Sequence, residues 1–212
     1  GILITEAARA TAANNQAHLQ RLTKAVIQKT LQLSIFIATG LLLYGNLIGT
    51  LLDGGALAGH LIRLLAPVVP FIYLEIVLEA LLKGMGQQSF SSLNYLAEYT
   101  IRIAIVLVCI PKFGFYGIVL SYYASNVCGN CFRLWKTCKT ARIRFSFWSD
   151  VGFPLFAAAL AFQVPLCGLR LLHGMQFVWI CLLPAILIDY ALLKSYGKIA
   201  AIPLLSKKQH VC

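Results

Sequence analysis

HLIRLLAPVVPFIYLEIVLEALLKGMGQQ, residues 60–88, decides the fold. It is apolar enough to cross a bilayer as a helix of roughly 20 residues, yet it carries Glu75, Glu79 and Lys83 at four-residue steps. Side chains four apart stack one turn above another on a single helix face. The segment is therefore greasy on one side and charged on the other. Ionisable groups are expensive inside a membrane and mark a functional face with a buried partner or a wet cavity.

Outward from this stretch the chain keeps the same character. Of 212 residues, 59% are hydrophobic and only 12% charged, with a mean hydropathy of +0.79, outside the range of soluble domains. Six long apolar runs, approximately 29–49, 61–82, 90–110, 114–134, 151–172 and 177–196, predict an all-α polytopic membrane bundle. Barrel strands would be short and alternating instead.

Residues 1–28 read as a polar cytoplasmic helix and linker running into the first span, and 29–140 as a four-helix unit. Residues 141–150 read as a basic interfacial loop anchored by Phe145, Phe147 and Trp148, 151–196 as two appended spans, and 197–212 as a cytoplasmic tail. Gly1 opens directly into a polar run with no signal-peptide pattern. The chain is expected to begin inside a longer protein.

The net charge of +11 follows topology rather than nucleic acid. If the chain crosses at each run, Lys112 and Arg170 fall on one side and Arg63 and Arg102 within spans. All the other basic residues, Arg133 to Arg144 among them, share the side of both termini. The positive-inside rule predicts a multi-pass protein of the cell membrane with cytoplasmic termini. The basic clusters then meet anionic membrane lipids.

The third span carries Glu98 and Arg102 at i, i+4, acid first, the favourable order on a helix. Counting 1.5 Å per residue back from the turn near residue 87 sets Glu98 level with Glu75 or Ile76. Arg102 is expected to bond Glu98 or Glu75, giving one buried charge cluster. Pro67 and Pro70 remove backbone donors at the start of the second span and form a candidate hinge. On the fourth span Tyr122, Asn126, Asn130 and Arg133 share a face with Ser121 and Ser125 beside them. That row is either glue between helices or the lining of a hydrophilic cavity. Asp53-Gly54-Gly55 and Pro111 to Gly117 read as outer turns, with Pro111 ending a helix, and Asp189 as a span-edge acid near Lys194.

Most of the seven cysteines fall inside spans, where they act as small apolar residues. Cys128-Gly-Asn-Cys131 has redox spacing, but it lies near the reducing side. His18, His60, His173 and His210 are scattered, so no metal site is expected. The sequence has no serine-hydrolase elbow, Walker loop, zincin or dinucleotide fingerprint. The expectation is a non-enzyme with no catalytic residue and no cofactor.

TEAARATAANN (5–15), LAPVVPFIYLEIVLEALLKGMGQQ (65–88) and IPKFGFYGIVLSYYASN (110–126) together resemble the bacterial polysaccharide exporters of the multidrug/oligosaccharidyl-lipid/polysaccharide flippase superfamily. The likeness covers residues 1–140 well, and 148–196 only as two further apolar helices. It implies a fold of two pseudo-symmetric helical lobes around a central cavity, of which this chain would be the C-terminal part, lacking its N-terminal lobe as partner. It further implies alternating-access movement of a lipid-linked saccharide, such as a peptidoglycan precursor, with a link to spore cortex in the sporulation branch. Glu75, Glu79, Lys83, Glu98 and Arg102 would then face the cavity. Arg102 would bind phosphate, the row on the fourth span the sugar, and the last spans the polyprenyl tail. An ion-coupled drug or metabolite exporter of the same fold, with Glu75 or Glu98 taking up the ion, and a non-transporting scaffold or truncated remnant are the alternatives.

Overall fold

The computed structural model describes residues 2–51, 55–161, 186–191 and 194, and among these the ordered elements are all helical. In chain order they are α1 (Ile2–Ala12), α2 (Gln16–Leu51), α3 (Gly55–Leu65), a 3-10 turn (Ala66–Val68), α4 (Val69–Gly84), α5 (Gln88–Phe113) and α6 (Phe115–Ala141). An apolar helix, α7 (Asp150–Ala161), follows and opens with a π-type turn at Trp148–Gly152. Gln16–Leu51, Gly55–Gly84 and Gln88–Phe113 are long and apolar enough to cross a membrane.

These three stretches contain the first three expected spans. The fourth, 114–134, forms within α6, which is long but too polar to join them. Ser121, Ser125, Asn126, Asn130, Arg133 and Thr137 are buried along it. Of the last two expected spans, α7 begins the first and Ile186–Ala191 is helical with Asp189 buried. The rest of both, the Asp53-Gly54 turn and the 197–212 tail lie outside the described residues.

The polar N-terminal run does not continue unbroken into the first span. Asn14 adopts φ 49, a left-handed conformation that asparagine tolerates better than most residues. The Asn15 side-chain oxygen then accepts the His18 backbone N–H at 3.0 Å and starts α2 afresh. The second span is likewise split. Pro67 lies in the 3-10 turn and Pro70 in the first turn of α4, positions where a missing N–H costs least. The Tyr123 hydroxyl donates to the Leu64 carbonyl just before this break, at 2.5 Å.

Pro111 does not end α5. It sits in the last turn, and the helix runs on to Phe113, where Gly114 at φ 54 reverses the chain. Between α4 and α5, Gly86 takes φ 73, Gln87 N–H donates to Leu82 O at 2.8 Å and Gly86 N–H to Lys83 O at 3.1 Å. That double bond pattern is the glycine-dependent Schellman stop. A similar stop closes α6, with Arg142 left-handed and Ile143 N–H on Cys138 O at 3.0 Å.

Packing places α6 at the centre of the site. It lies against α5 along its length and also against α4, while α4 and α5, neighbours in sequence, touch only lightly. Across the other side of α4, α2 packs on α3 and α4, backbones brought close at Gly45, Gly49 and Gly59. The apolar core of Leu19, Ile27, Leu31, Leu74, Leu78, Leu81 and Leu82 sits at the α1 end of the bundle, with Ala7 and Ala10 of α1 sealing it.

Gly84 sets how closely α1 approaches. A Cβ there would lie 2.6 Å from the Ala7 Cβ and 2.8 Å from the Ile4 carbonyl oxygen. Gly84→Val is therefore expected to push α1 off α4, costing about 1–3 kcal/mol as overpacking does. Limited proteolysis in the 13–15 linker checks this: cleavage should speed up in the variant, and an unchanged rate would contradict the docked position of α1.

Candidate functional site

At mid-depth in the bundle three carboxylates and three cations form one connected network over α4, α5 and α6. Its centre is Arg133, whose side chain is 0% exposed. Arg133 Nη1 lies 2.9 Å from Glu98 Oε2 on α5, and Nη2 lies 3.3 Å from Glu75 Oε1 on α4. One guanidinium thus ties two helices to a third. Its face covers the ring of Tyr95, with Cζ 4.4 Å from the ring centroid.

Two branches leave this centre. On one side Glu98 Oε1 accepts Arg102 Nη2 at 3.0 Å, and Arg102 Nε donates to Ser125 Oγ at 2.9 Å. The Arg102 guanidinium also lies near the rings of Tyr99 and Tyr122, at 5.1 and 4.8 Å. On the other side the Tyr95 hydroxyl donates to Glu79, which pairs with Lys83 at 2.5 Å. The formal charges balance, three against three.

Gly129 makes the centre possible. A Cβ on Gly129 would sit 2.9 Å from Glu98 Cδ and 3.0 Å from Arg133 Nη1. Only a residue without one leaves space for the carboxylate and guanidinium to meet against α6. Asn94, one turn before Glu98, donates to the Gly129 carbonyl at 3.2 Å and fixes the register of α5 on α6.

The expected residues are placed as follows. Glu75, Glu98 and Arg102 converge, and Arg102 chooses Glu98. Glu79 and Lys83 pair with each other and join through Tyr95. Tyr122 lies beside Arg102. Asn126 is buried and donates to the Tyr122 carbonyl at 2.8 Å, within its own helix. Asn130 is buried and crosses to α4, its side-chain nitrogen donating to the Phe71 carbonyl at 3.0 Å. Pro67 and Pro70 stand at the helix break before α4.

One assignment changes. Arg133, counted above with the loop cations, is the most deeply buried charge of the network. The helix continues to Ala141, so Arg133 lies eight residues, about 12 Å, inside it. Sequence reasoning also misses Tyr95. Its signal is the spacing of Tyr95, Glu98, Tyr99 and Arg102, which puts two rings and an ion pair on one side of α5.

Polar valence remains unspent. Neither close Arg133–carboxylate approach is aligned as a hydrogen bond, and Arg133 Nε, Nη1 and Nη2, Glu98 Oε2 and Asn130 Oδ1 lack hydrogen-bond partners. Groups buried in that state are costly unless a water or ligand reaches them. The arrangement can bind an anionic group by exchanging a carboxylate for it at Arg102 or Arg133. Among the described residues no cluster of His, Cys, Asp and Glu could hold a metal ion.

Removing the central charge leaves the buried Glu98 and the partly buried Glu75 without the cation they share. Arg133→Met is expected to cost about 3–5 kcal/mol, whereas Lys83→Met, at a side chain 40% exposed, should cost under about 1 kcal/mol. Denaturant unfolding in detergent micelles compares them, and equal losses would contradict the central position of Arg133. No protein-family model, curated protein or solved structure matches the chain.

Proposed function

We propose that this chain is part of a membrane transporter that moves a lipid-linked saccharide across the cell membrane by alternating access. The observation that carries the proposal is the charge network itself. An ionic cluster built across three helices about 12–15 Å from the end of the bundle is expensive and marks a transport pathway before it marks a static joint. The sequence resemblance to the polysaccharide exporters of the flippase superfamily supports the same class.

On this proposal the chain contributes six crossings, four in the C-terminal lobe and two appended to it, with both termini cytoplasmic, and an N-terminal lobe of the same protein closes the cavity. Arg102 is the first phosphate contact. It is the more accessible of the two arginines, and its guanidinium is held in a fixed plane by Glu98, Ser125 and the rings of Tyr99 and Tyr122. Substrate phosphate replaces Glu98 on Arg102, and Glu98 stays neutralised because Arg133 still faces it. Pro67 and Pro70 supply the flexure that lets α4 move against α3.

An ion-coupled exporter is the second reading, and Glu75 favours it. That carboxylate is only partly buried and shares its one cation with Glu98, so it is the acid most open to an incoming ion.

Lipid-linked precursor accessibility on the far membrane face, measured with the complete protein, separates the two. Arg102→Ala should lower translocation about tenfold or more at equal protein level, since truncating a charge that holds a buried anion costs at least 2 kcal/mol. Unchanged translocation would sink the phosphate role. A Glu75→Gln variant that instead abolishes dependence on an ion gradient would favour the exporter.

A further inference from the structure

Between α2, α4 and α6, beside the charge network, lies a cavity of about 290 Å³ whose walls are almost wholly apolar. Leu31 and Ile35 of α2, Phe71 and Leu74 of α4, and Leu134 of α6 line it, and Phe145 closes it. The volume is at the lower limit for a small-molecule site and equals that of about ten water-sized groups in a row. An apolar cavity of that size suits part of an alkyl chain.

Phe145 is also a wall of a second, smaller cleft, which holds Lys24, Gln28, Arg144 and Asp150. Asp150 is turned inward there, accepting Gln28 Nε2 at 2.6 Å and the Ser146 N–H at 3.0 Å. Lys24 and Arg144 are exposed and make no ion pair among the described residues. Nearby Lys136 and Lys139 are occupied over the rings of Phe90 and Trp135. Two cations without an ion pair among the described residues therefore stand in a cleft that shares the Phe145 ring with the apolar cavity. Phe147 and Trp148, 72% and 75% exposed, flank the same loop, as residues at a membrane interface do.

We infer that this slot binds one acyl chain of an anionic phospholipid, whose phosphate is held by Lys24 and Arg144. The lipid comes from the leaflet on the α1 side, since the slot opens beside the loop that carries the interfacial aromatics. It fills the gap between α2 and α6 and fixes the 142–147 loop against α2. Charge complementarity selects an anionic headgroup over a zwitterionic one. The site is separate from Arg102 and Arg133 and stands whether or not the chain transports a saccharide.

Native mass spectrometry of the purified protein in micelles supplied with dioleoyl phosphatidylglycerol or dioleoyl phosphatidylcholine tests this. Wild-type protein should retain one phosphatidylglycerol in clear preference to phosphatidylcholine. The Lys24→Ala, Arg144→Ala pair, both surface side chains, should lose about thirtyfold of that preference. Cys131→Trp, which adds bulk at an exposed wall of the slot, should abolish retention of either lipid at an unchanged unfolding temperature. Equal retention of the two lipids by wild-type protein, or full retention by Cys131→Trp, would overturn the inference. So would displacement of the bound phospholipid by a polyprenyl phosphate at equal concentration.

Discussion

A fully buried guanidinium cannot exist without anions beside it, and in this chain that constraint organises three helices. Arg133 requires Glu98 and Glu75, which come from α5 and α4. Their approach requires Gly129 on the same face of α6, because a side chain there would fill the space of the carboxylate. It also requires α6 to lie between α4 and α5, so the α4–α5 hairpin opens enough to admit it. Each demand is met by small or polar residues, and this is why α6 is too polar to pass as a simple apolar span.

Ion pairs of this kind rarely add stability, because desolvation offsets their attraction. Their value lies in discrimination. Three acids and three bases share one network, so exchange of a partner at one end is felt by the others. The Arg102 branch, held by Ser125 and two tyrosine rings, is partly exposed, whereas Arg133 is the fully buried centre. On the proposed transport reading, one cation exchanges partners while the other keeps the helices in register.

The local parts of this were legible in the sequence. Glu98 and Arg102 at i, i+4 pair as the spacing says, and so do Glu79 and Lys83. The first three long helices fall where apolar length sets them. The polar face that carries Arg133 was legible but its depth was not, because a count of apolar residues ends the fourth span near residue 134. Helix α6 is ended by a backbone device at Arg142 that apolarity does not register. Similarly, consecutive helices joined by a tight turn are expected to pair, and nothing local says that a third will wedge between them. The split of the second span into α3 and α4 was only half visible: the prolines showed a break but not its 3-10 form.

The most direct measurement is a double-mutant cycle between Glu98→Gln and Arg133→Met, read by denaturant unfolding of the purified protein in micelles. If Arg133 is the joint between helices, the double variant should recover about 2 kcal/mol or more of the summed single losses, as contacting buried charges do. Single losses that add to within about 0.5 kcal/mol would mean that the two side chains act independently. That result would contradict the arrangement on which the whole account rests.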